Sequence, residues 1–220
     1  MSSVAHAHRY IVIEGPIGAG KTSLARRLCV SLGAQPVLEQ AGENPFLAPF
    51  YRNRRANALP AQLYFLLQRA QQLTALNQAD LFAPVRVADY LLEKDRLFAR
   101  LTLDDEDYAL YGQLFARLSI EPPRPDLVVY LQAPVDVLLT RIRRRGIEHE
   151  QLIEPGYLER LNEAYAAFFH DFTAAPLLVV DAAAIDPISN DNDYQELLAA
   201  IRSTHAGRVH YSAPRSRDQL

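Results

Sequence analysis

The stretch RYIVIEGPIGAGKTSLARRL, Arg9 to Leu28, constrains this chain more than any other. An apolar run leads into a loop with three glycines, then a lysine, then a helical pattern. Gly15 to Thr22, GPIGAGKT, satisfies G-x-x-x-x-G-K-[ST] between a strand and a helix, and that context sets it apart from a merely glycine-rich turn. The glycines let the backbone curl so that successive N–H groups face a phosphate. A helix starting near Lys21 aims its positive end at the same point. Lys21 adds a full charge near the β- and γ-phosphates, and Thr22 offers a hydroxyl to Mg²⁺. Gly15, Gly18, Ala19, Gly20, Lys21, Thr22 and Ser23 are therefore the expected contacts of a nucleoside triphosphate. The loop alone leaves the phosphoryl acceptor open.

Around this loop the pattern alternates. Tyr10–Glu14, Pro36–Glu39, Pro84–Tyr90, Asp126–Gln132 and Pro176–Ala182 read as short strands, the second and third carrying Glu39 and Asp89 at their ends. Helices are expected from Lys21 to Leu32, closed by Gly33, and over Pro60–Ala79, a nearly uncharged helix covered on most sides. Further helices read at Leu91–Leu101, Asp105–Leu118, Val135–Arg145, Tyr157–Phe172 and Asn192–Ser203. Short buried strands between long helices imply an α/β fold with a central parallel sheet of about five strands between two helical layers. The expected organisation is a disordered end over residues 1–8, one domain over 9–203, and a disordered polar tail over 204–220.

Composition narrows the function. Hydrophobic residues make up 49% of the chain, with 23 basic and 26 acidic side chains. That balance carries no electrostatic footprint for a nucleic acid polymer or an anionic membrane. Cys29 is the only cysteine, so neither an intramolecular disulfide nor a cysteine metal cluster is expected. MSSVAHAHRY lacks a signal peptide's apolar stretch, and no run approaches the ~20 apolar residues that span a bilayer. The expectation is a soluble cytoplasmic protein. A GTPase would need N-K-x-D, which is absent; VRVAD is a poor motor-ATPase acidic strand. A small-molecule or nucleotide kinase fits the length best.

ENPFLAPFYRN, QLYFLLQR, DYLLEKDRLFA and RIRRRGIEHEQ, in this order and spacing, give a more specific pattern. With them the chain resembles the deoxyribonucleoside kinases of the P-loop kinase superfamily, most of all the small bacterial deoxyadenosine/deoxyguanosine/deoxycytidine kinase-like members. The resemblance runs from about Tyr10 to Ile201. It implies a P-loop kinase, three-layer α/β/α with an Arg-rich lid at about 141–156, ATP as phosphoryl donor, Mg²⁺, and a helix-packed homodimer.

Roles implied by the resemblance transfer to matching positions. Glu39 matches the carboxylate that takes the proton from the 5′-hydroxyl. Tyr51 and Gln62 match the pair holding the sugar hydroxyl and the base edge. Arg69 and Asp95 match a charged pair beside the base, which favours a purine deoxynucleoside or deoxycytidine over thymidine. Asp89, with Thr22, matches the Mg²⁺ site. Arg141 and Arg145 match lid arginines that close on the transferring phosphoryl group, and Glu150 matches the acid gripping the 3′-hydroxyl. Phe46, Phe50 and Phe65 are candidate walls or plain core, and Arg143 or Arg144 is expected to face solvent.

One departure stands out. Relatives continue from the Mg²⁺ acid with Arg-Ser, whereas Tyr90-Leu91 stand here. The phosphate contact of that arginine then falls to Arg86, Lys94 or a lid arginine, or turnover is reduced. The alternatives to a nucleoside kinase are a thymidylate-like monophosphate kinase, with Arg69 or Arg96 recruited for the extra phosphate, and a non-catalytic kinase-fold subunit.

Overall fold

The computed structural model describes residues 8–77 and 84–212. The readings of residues 1–7, of a helix end at Ala79 and of the tail beyond residue 212 lie outside these. Six strands form one parallel sheet in the order β2-β3-β1-β4-β5-β6: β1 Tyr10–Glu14, β2 Gln35–Val37, β3 Arg86–Ala88, β4 Leu127–Gln132, β5 Leu177–Asp181 and β6 Arg208–Tyr211. Eight helices are described, forming the outer layers: α1 Lys21–Leu32, α2 Leu47–Arg52, α3 Arg54–Asn77, α4 Lys94–Thr102, α5 Asp105–Leu118, α6 Val135–Arg145, α7 Pro155–His170 and α8 Asp191–Ser203. Among the described residues no helix is long and apolar enough to cross a membrane.

The central strands are apolar on both faces because helices cover both. Ile11, Val12, Ile13 and Leu127 to Leu131 are all buried. On one face α1 and α8 are tied by the Tyr194 hydroxyl, which lies 2.6 Å from Ser31 Oγ and 3.2 Å from the Arg27 carbonyl. On the other, Tyr130 of β4 stacks on Phe169 of α7 at 4.2 Å, and α7 in turn packs on α4 and α6. Gly33 ends α1 as read: at φ 60° it takes the left-handed turn, and its N–H reaches the Cys29 carbonyl.

Four expectations are corrected. The sheet has a sixth strand, β6, inside the segment read as a disordered tail. Its residues are mostly exposed and polar, so no hydrophobic alternation marks it; main-chain pairing to β5 holds it, with Arg208 Nη2 donating to the Phe169 and His170 carbonyls. His8, read as part of a disordered end, packs its ring 4.9 Å from His205 and has Nε2 3.0 Å from the Ile201 carbonyl. Helix α3 begins at Arg54 and carries Pro60 inside, two turns before the expected start. It is also less covered than its composition implies, since Leu67 is 58% exposed.

The edge strand gives a test. A chain ending at Ser203 loses β6 and bares the β5 edge, whereas one ending at Ser212 keeps both. At about 1 kcal/mol per lost ladder hydrogen bond, the shorter chain is expected to melt about 5 °C or more below the full chain. The chain ending at Ser212 is expected to melt with the full chain in the same thermal scan.

Candidate active site

Parallel strands deliver their chain ends to one edge, where α/β folds bind ligands, beside the strand at which the order reverses. Here that strand is β1, flanked by β3 and β4. The loop after β1 holds Gly15 to Gly20, Glu39 lies two residues past β2, and Asp89 directly follows β3. In the phosphate loop two glycines are required for space as well as for φ. A Cβ on Gly15 (φ 148°) would sit 2.5 Å from the Leu131 carbonyl, and one on Gly18 (φ 87°) 2.8 Å from the Leu138 carbonyl. Gly20 occupies the cap of α1, and the first turn, Lys21-Thr22-Ser23, contains no carboxylate. Nothing there competes with an anion for the helix's first N–H groups.

Two hollows meet at this loop. An open cleft of about 730 Å³ lies between it, α6 and the segment Ala182–Ile188 after β5. A deeper cavity contains Lys21, Glu39, Asp89, Tyr51, Gln62 and Arg69. Gly18, Gly20, Ser23 and Arg145 line both.

Inside the deeper cavity the charges are tightly paired. Asp89 Oδ2 accepts from the Thr22 hydroxyl at 2.5 Å, and its Oδ1 accepts the Glu39 backbone N–H at 2.8 Å. Glu39 Oε1 accepts from Arg69 Nε at 3.1 Å and from Nη2, and Lys94 Nζ lies 3.2 and 3.3 Å from its two oxygens. Burial raises the Glu39 pKa, but Arg69 and then Lys94 outweigh it, so the carboxyl is held well below the usual range. Arg69 Nη1 reaches back to Asp95 Oδ1 at 2.6 Å. Asp95 is fully buried, and its Oδ2 has no hydrogen-bond partner among the described residues. Burial dominates there despite Arg69, pushing its pKa up to about 6.

Lys21 folds back on the loop, donating to the Gly15 carbonyl at 2.8 Å and the Pro16 carbonyl at 3.1 Å. Burial, and then the Lys94 charge, lower its pKa to about 8, against the pull of Glu14, Glu39 and Asp89. At pH 8.5 the free protein therefore holds much of Lys21 neutral, and an arriving phosphate anion favours its charged form. ATP binding at pH 8.5 is expected to take up a fraction of a proton, vanishing at pH 6.5 where Lys21 is already charged. Calorimetry in buffers of different ionisation enthalpy measures it; uptake of equal size at both pH values would contradict the assignment to Lys21.

The segment read as a lid is bonded into the same wall. Arg145 Nη2 donates to Glu150, and Tyr51 and Glu150 are both buried in the cavity wall. His149, one residue before Glu150, stacks on Tyr51 at 5.8 Å. Arg141 Nη2 donates to the Ala182 carbonyl at 2.6 Å, which places it on the open cleft and away from the deeper cavity. Arg144 lines that cleft too, so of the two arginines expected at solvent it is Arg143 that stays off both hollows. Gln62 reaches the cavity while donating to Thr102 Oγ1 at 3.3 Å. Phe50 and Phe65 line the cavity; Phe46 lies outside it, 38% exposed and edge-on to Tyr64. Asp95 is not on the cavity wall and acts on it only through Arg69.

Sequence reasoning passed over Phe98 and Tyr157, which also line the wall, and Glu14, which lies 3.8 Å from Lys94 on that wall. Glu14 was legible as a carboxylate ending an otherwise apolar strand. As to the missing arginine, Tyr90 turns away, its hydroxyl donating to Gln72 at 2.6 Å, and Arg86 binds the Leu76 carbonyl from the far end of β3.

Among the described residues no three His, Cys, Asp or Glu side chains cluster as a metal site. Mg²⁺ ordinarily keeps waters and takes one or two protein oxygens besides the phosphates, and the adjoining Thr22 hydroxyl and Asp89 carboxylate fit that mode.

A family model described as deoxynucleoside kinase matches residues 11–205. The deoxyguanosine kinase of Bacillus subtilis (strain 168) is 33% identical over 201 residues, covering 88% of this chain and 96% of its own length. The deoxyadenosine kinase of Lactobacillus acidophilus is 30% identical over 205 residues, with 87% and 94% covered. The solved structure of deoxyadenosine kinase from M. mycoides, with products dCMP and a flexible dCDP bound, superposes with a TM-score of 0.77 at 26% identity, covering 88% of this chain and 99% of that one.

Proposed function

The chain belongs to the deoxynucleoside kinase family, and from that premise we propose that it transfers the γ-phosphoryl group of ATP to the 5′-hydroxyl of a 2′-deoxyribonucleoside, giving the 5′-monophosphate. The observation that carries this reading is the shared wall: two hollows meet at one phosphate loop, and a paired carboxylate, Glu39, stands on the inner side. The open cleft takes the donor, with its phosphates on the N–H groups of Gly15 to Ser23 and on Lys21. The inner cavity takes the nucleoside.

In this reading Thr22 and Asp89 would hold Mg²⁺, which would neutralise negative charge on the donor phosphates. Glu39 accepts the 5′-hydroxyl proton. Its low pKa keeps it ionised, so its contribution is to orient the hydroxyl and receive the proton late, as a loose phosphoryl-transfer transition state allows. Arg145 sits where both hollows meet and stabilises the transferring group, while Arg141 serves the donor side. Tyr51 and Glu150 hold the sugar. Gln62 meets the base edge with a donor and an acceptor, and Arg69, backed by Asp95, completes that wall.

A charged pair behind the base edge supports a purine deoxynucleoside or deoxycytidine over thymidine. A monophosphate acceptor fits less well. Of the arginines weighed for an extra phosphate, Arg69 is committed to Glu39 and Asp95, and Arg96 lies 4.3 Å over the Phe115 ring. A homodimer belongs to the same reading: α3 and α5 pack together and expose Leu67 and Leu110.

The test is kcat/KM with Mg²⁺ and ATP across deoxyadenosine, deoxyguanosine, deoxycytidine and thymidine. At least one of the first three is expected to exceed thymidine about tenfold, with all activity lost in Lys21→Ala. Thymidine ranked first would overturn the base preference, and no transfer to any of the four would overturn the nucleoside reading.

A further inference from the structure

Lys94 occupies a place that costs stability three times over. Its side chain is buried, with the residue 3% exposed. It is the first residue of α4, where the helix dipole disfavours a cation. It also lies close enough to Lys21 for the two ammonium groups to repel. Against this stand Glu39, 3.2 and 3.3 Å from Nζ, and Glu14 at 3.8 Å. Glu14 is fully buried and already accepts from the Gly15 and Leu91 N–H groups and the Tyr165 hydroxyl. Glu14 therefore ties Lys94 to the first residue of the phosphate loop, and Glu39 ties it to the inner cavity.

The other cations on the cavity wall are engaged. Arg69 spends Nε and Nη2 on Glu39 and Nη1 on Asp95; Arg145 binds Glu150. Lys94 keeps ammonium hydrogens beyond its contact with Glu39, in the same cavity as Lys21, Thr22 and Asp89. Two like charges converging on one hollow are compensated best by an anion between them, and a phosphoryl group in transit is such an anion.

Resting on the nucleoside-kinase reading, we propose that Lys94 is a catalytic residue of the acceptor side, donating to the transferring phosphoryl group and then to the 5′-monophosphate. In the step it serves, the nucleoside 5′-oxygen forms a bond to the γ-phosphorus. The bond from that phosphorus to the β–γ bridging oxygen breaks, and ADP departs with the electron pair. The 5′-hydroxyl proton passes to Glu39, and Lys94 moves its hydrogen bond from Glu39 to an oxygen of the phosphoryl group as that group reaches the acceptor. A lysine five residues past Asp89 thus does the phosphate work that Tyr90 cannot, because Tyr90 faces Gln72.

The experiment compares wild type, Lys94→Met and Lys94→Arg. It measures kcat, calorimetric binding of the nucleoside and of its 5′-monophosphate, and the melting temperature, using the best of the four deoxynucleosides. Lys94→Met is expected to lower kcat about 100-fold and weaken monophosphate binding about tenfold, with nucleoside binding within about threefold of wild type. Lys94→Arg is expected to recover kcat to within about tenfold of wild type. Should Lys94→Met fail to fold, Lys94→Arg still decides, because a folded arginine variant without phosphate discrimination overturns the proposal. Unchanged kcat in Lys94→Met, or equal loss of nucleoside and monophosphate binding, also overturns it while the kinase reading stands. A wild type that phosphorylates no nucleoside overturns that reading and this one with it.

Discussion

Replacing Glu39 with glutamine is expected to lower kcat by about three orders of magnitude while leaving ATP affinity within about threefold. The size follows from what the carboxylate faces. Both its oxygens receive cationic donors, Arg69 on Oε1 and Lys94 on each. A glutamine keeps one acceptor and turns an N–H₂ toward those donors, so the side chain must rotate or expel one of them. Either way the acceptor hydroxyl loses both its proton receiver and its orientation. ATP affinity is spared because the phosphate contacts lie on the loop and α1. Initial rates and isothermal titration on the same preparation separate the two effects. A Glu39→Gln enzyme within tenfold of wild-type kcat would remove Glu39 from the chemistry.

The second large effect concerns stability. Arg69 is a buried guanidinium shared by two carboxylates, Glu39 and Asp95. Removing one partner of a buried ion pair costs about 3–5 kcal/mol, because the other charge stays buried and uncompensated. Arg69→Met is therefore expected to lower the melting temperature by about 10 °C at pH 8. The gap should narrow at acid pH, through Asp95 between pH 8 and pH 5 and through Glu39 only below its ordinary pKa of about 4.5. Asp95 already has a raised pKa of about 6, so its contribution to wild-type stability falls as pH rises from about 4 to about 6; without Arg69 that pKa climbs further and the loss extends upward. Glu39 has a depressed pKa in the wild type, so its contribution is present above the ordinary glutamate value and lost on acidification. The variant forfeits part of that contribution where it was present. Scans at pH 5 and pH 8 test this, and a gap within 2 °C at pH 8, or one that widens toward pH 5, would contradict the shared role.

Much of the fold was legible because its signals are local. Helices α5 and α6 fall on the residues read for them, since Asp104 and Gly146 mark one end of each. β1, β4 and β5 are apolar runs too short for helices. What escaped lacks such marks. β6 is exposed and held by its backbone, and α2 is six residues long with Pro49 inside it. For α3, Pro60 imitates a first-turn proline, yet the helix starts two turns earlier.

In the site, the phosphate loop was readable because its residues are contiguous. Of the ion pairs, that of Arg69 with Asp95 was read through the resemblance; those of Glu39 were not, because it meets Arg69 across 30 residues and Lys94 across 55. Strand polarity could have removed Arg86 from the candidates for the missing arginine. It begins β3, and Asp89 follows the end, so about 10 Å of strand separates them. No comparable rule places Lys94, whose position depends on where α4 docks.

Incubation with Mg²⁺, γ-labelled ATP and a deoxynucleoside, with products separated and counted, tests the central claim most directly. The account predicts label in the nucleoside 5′-monophosphate, one ADP formed for each, and no ATP consumption above background when the nucleoside is omitted. Nucleoside-independent loss of the label as free phosphate, or label entering product only when a monophosphate is supplied, would contradict it.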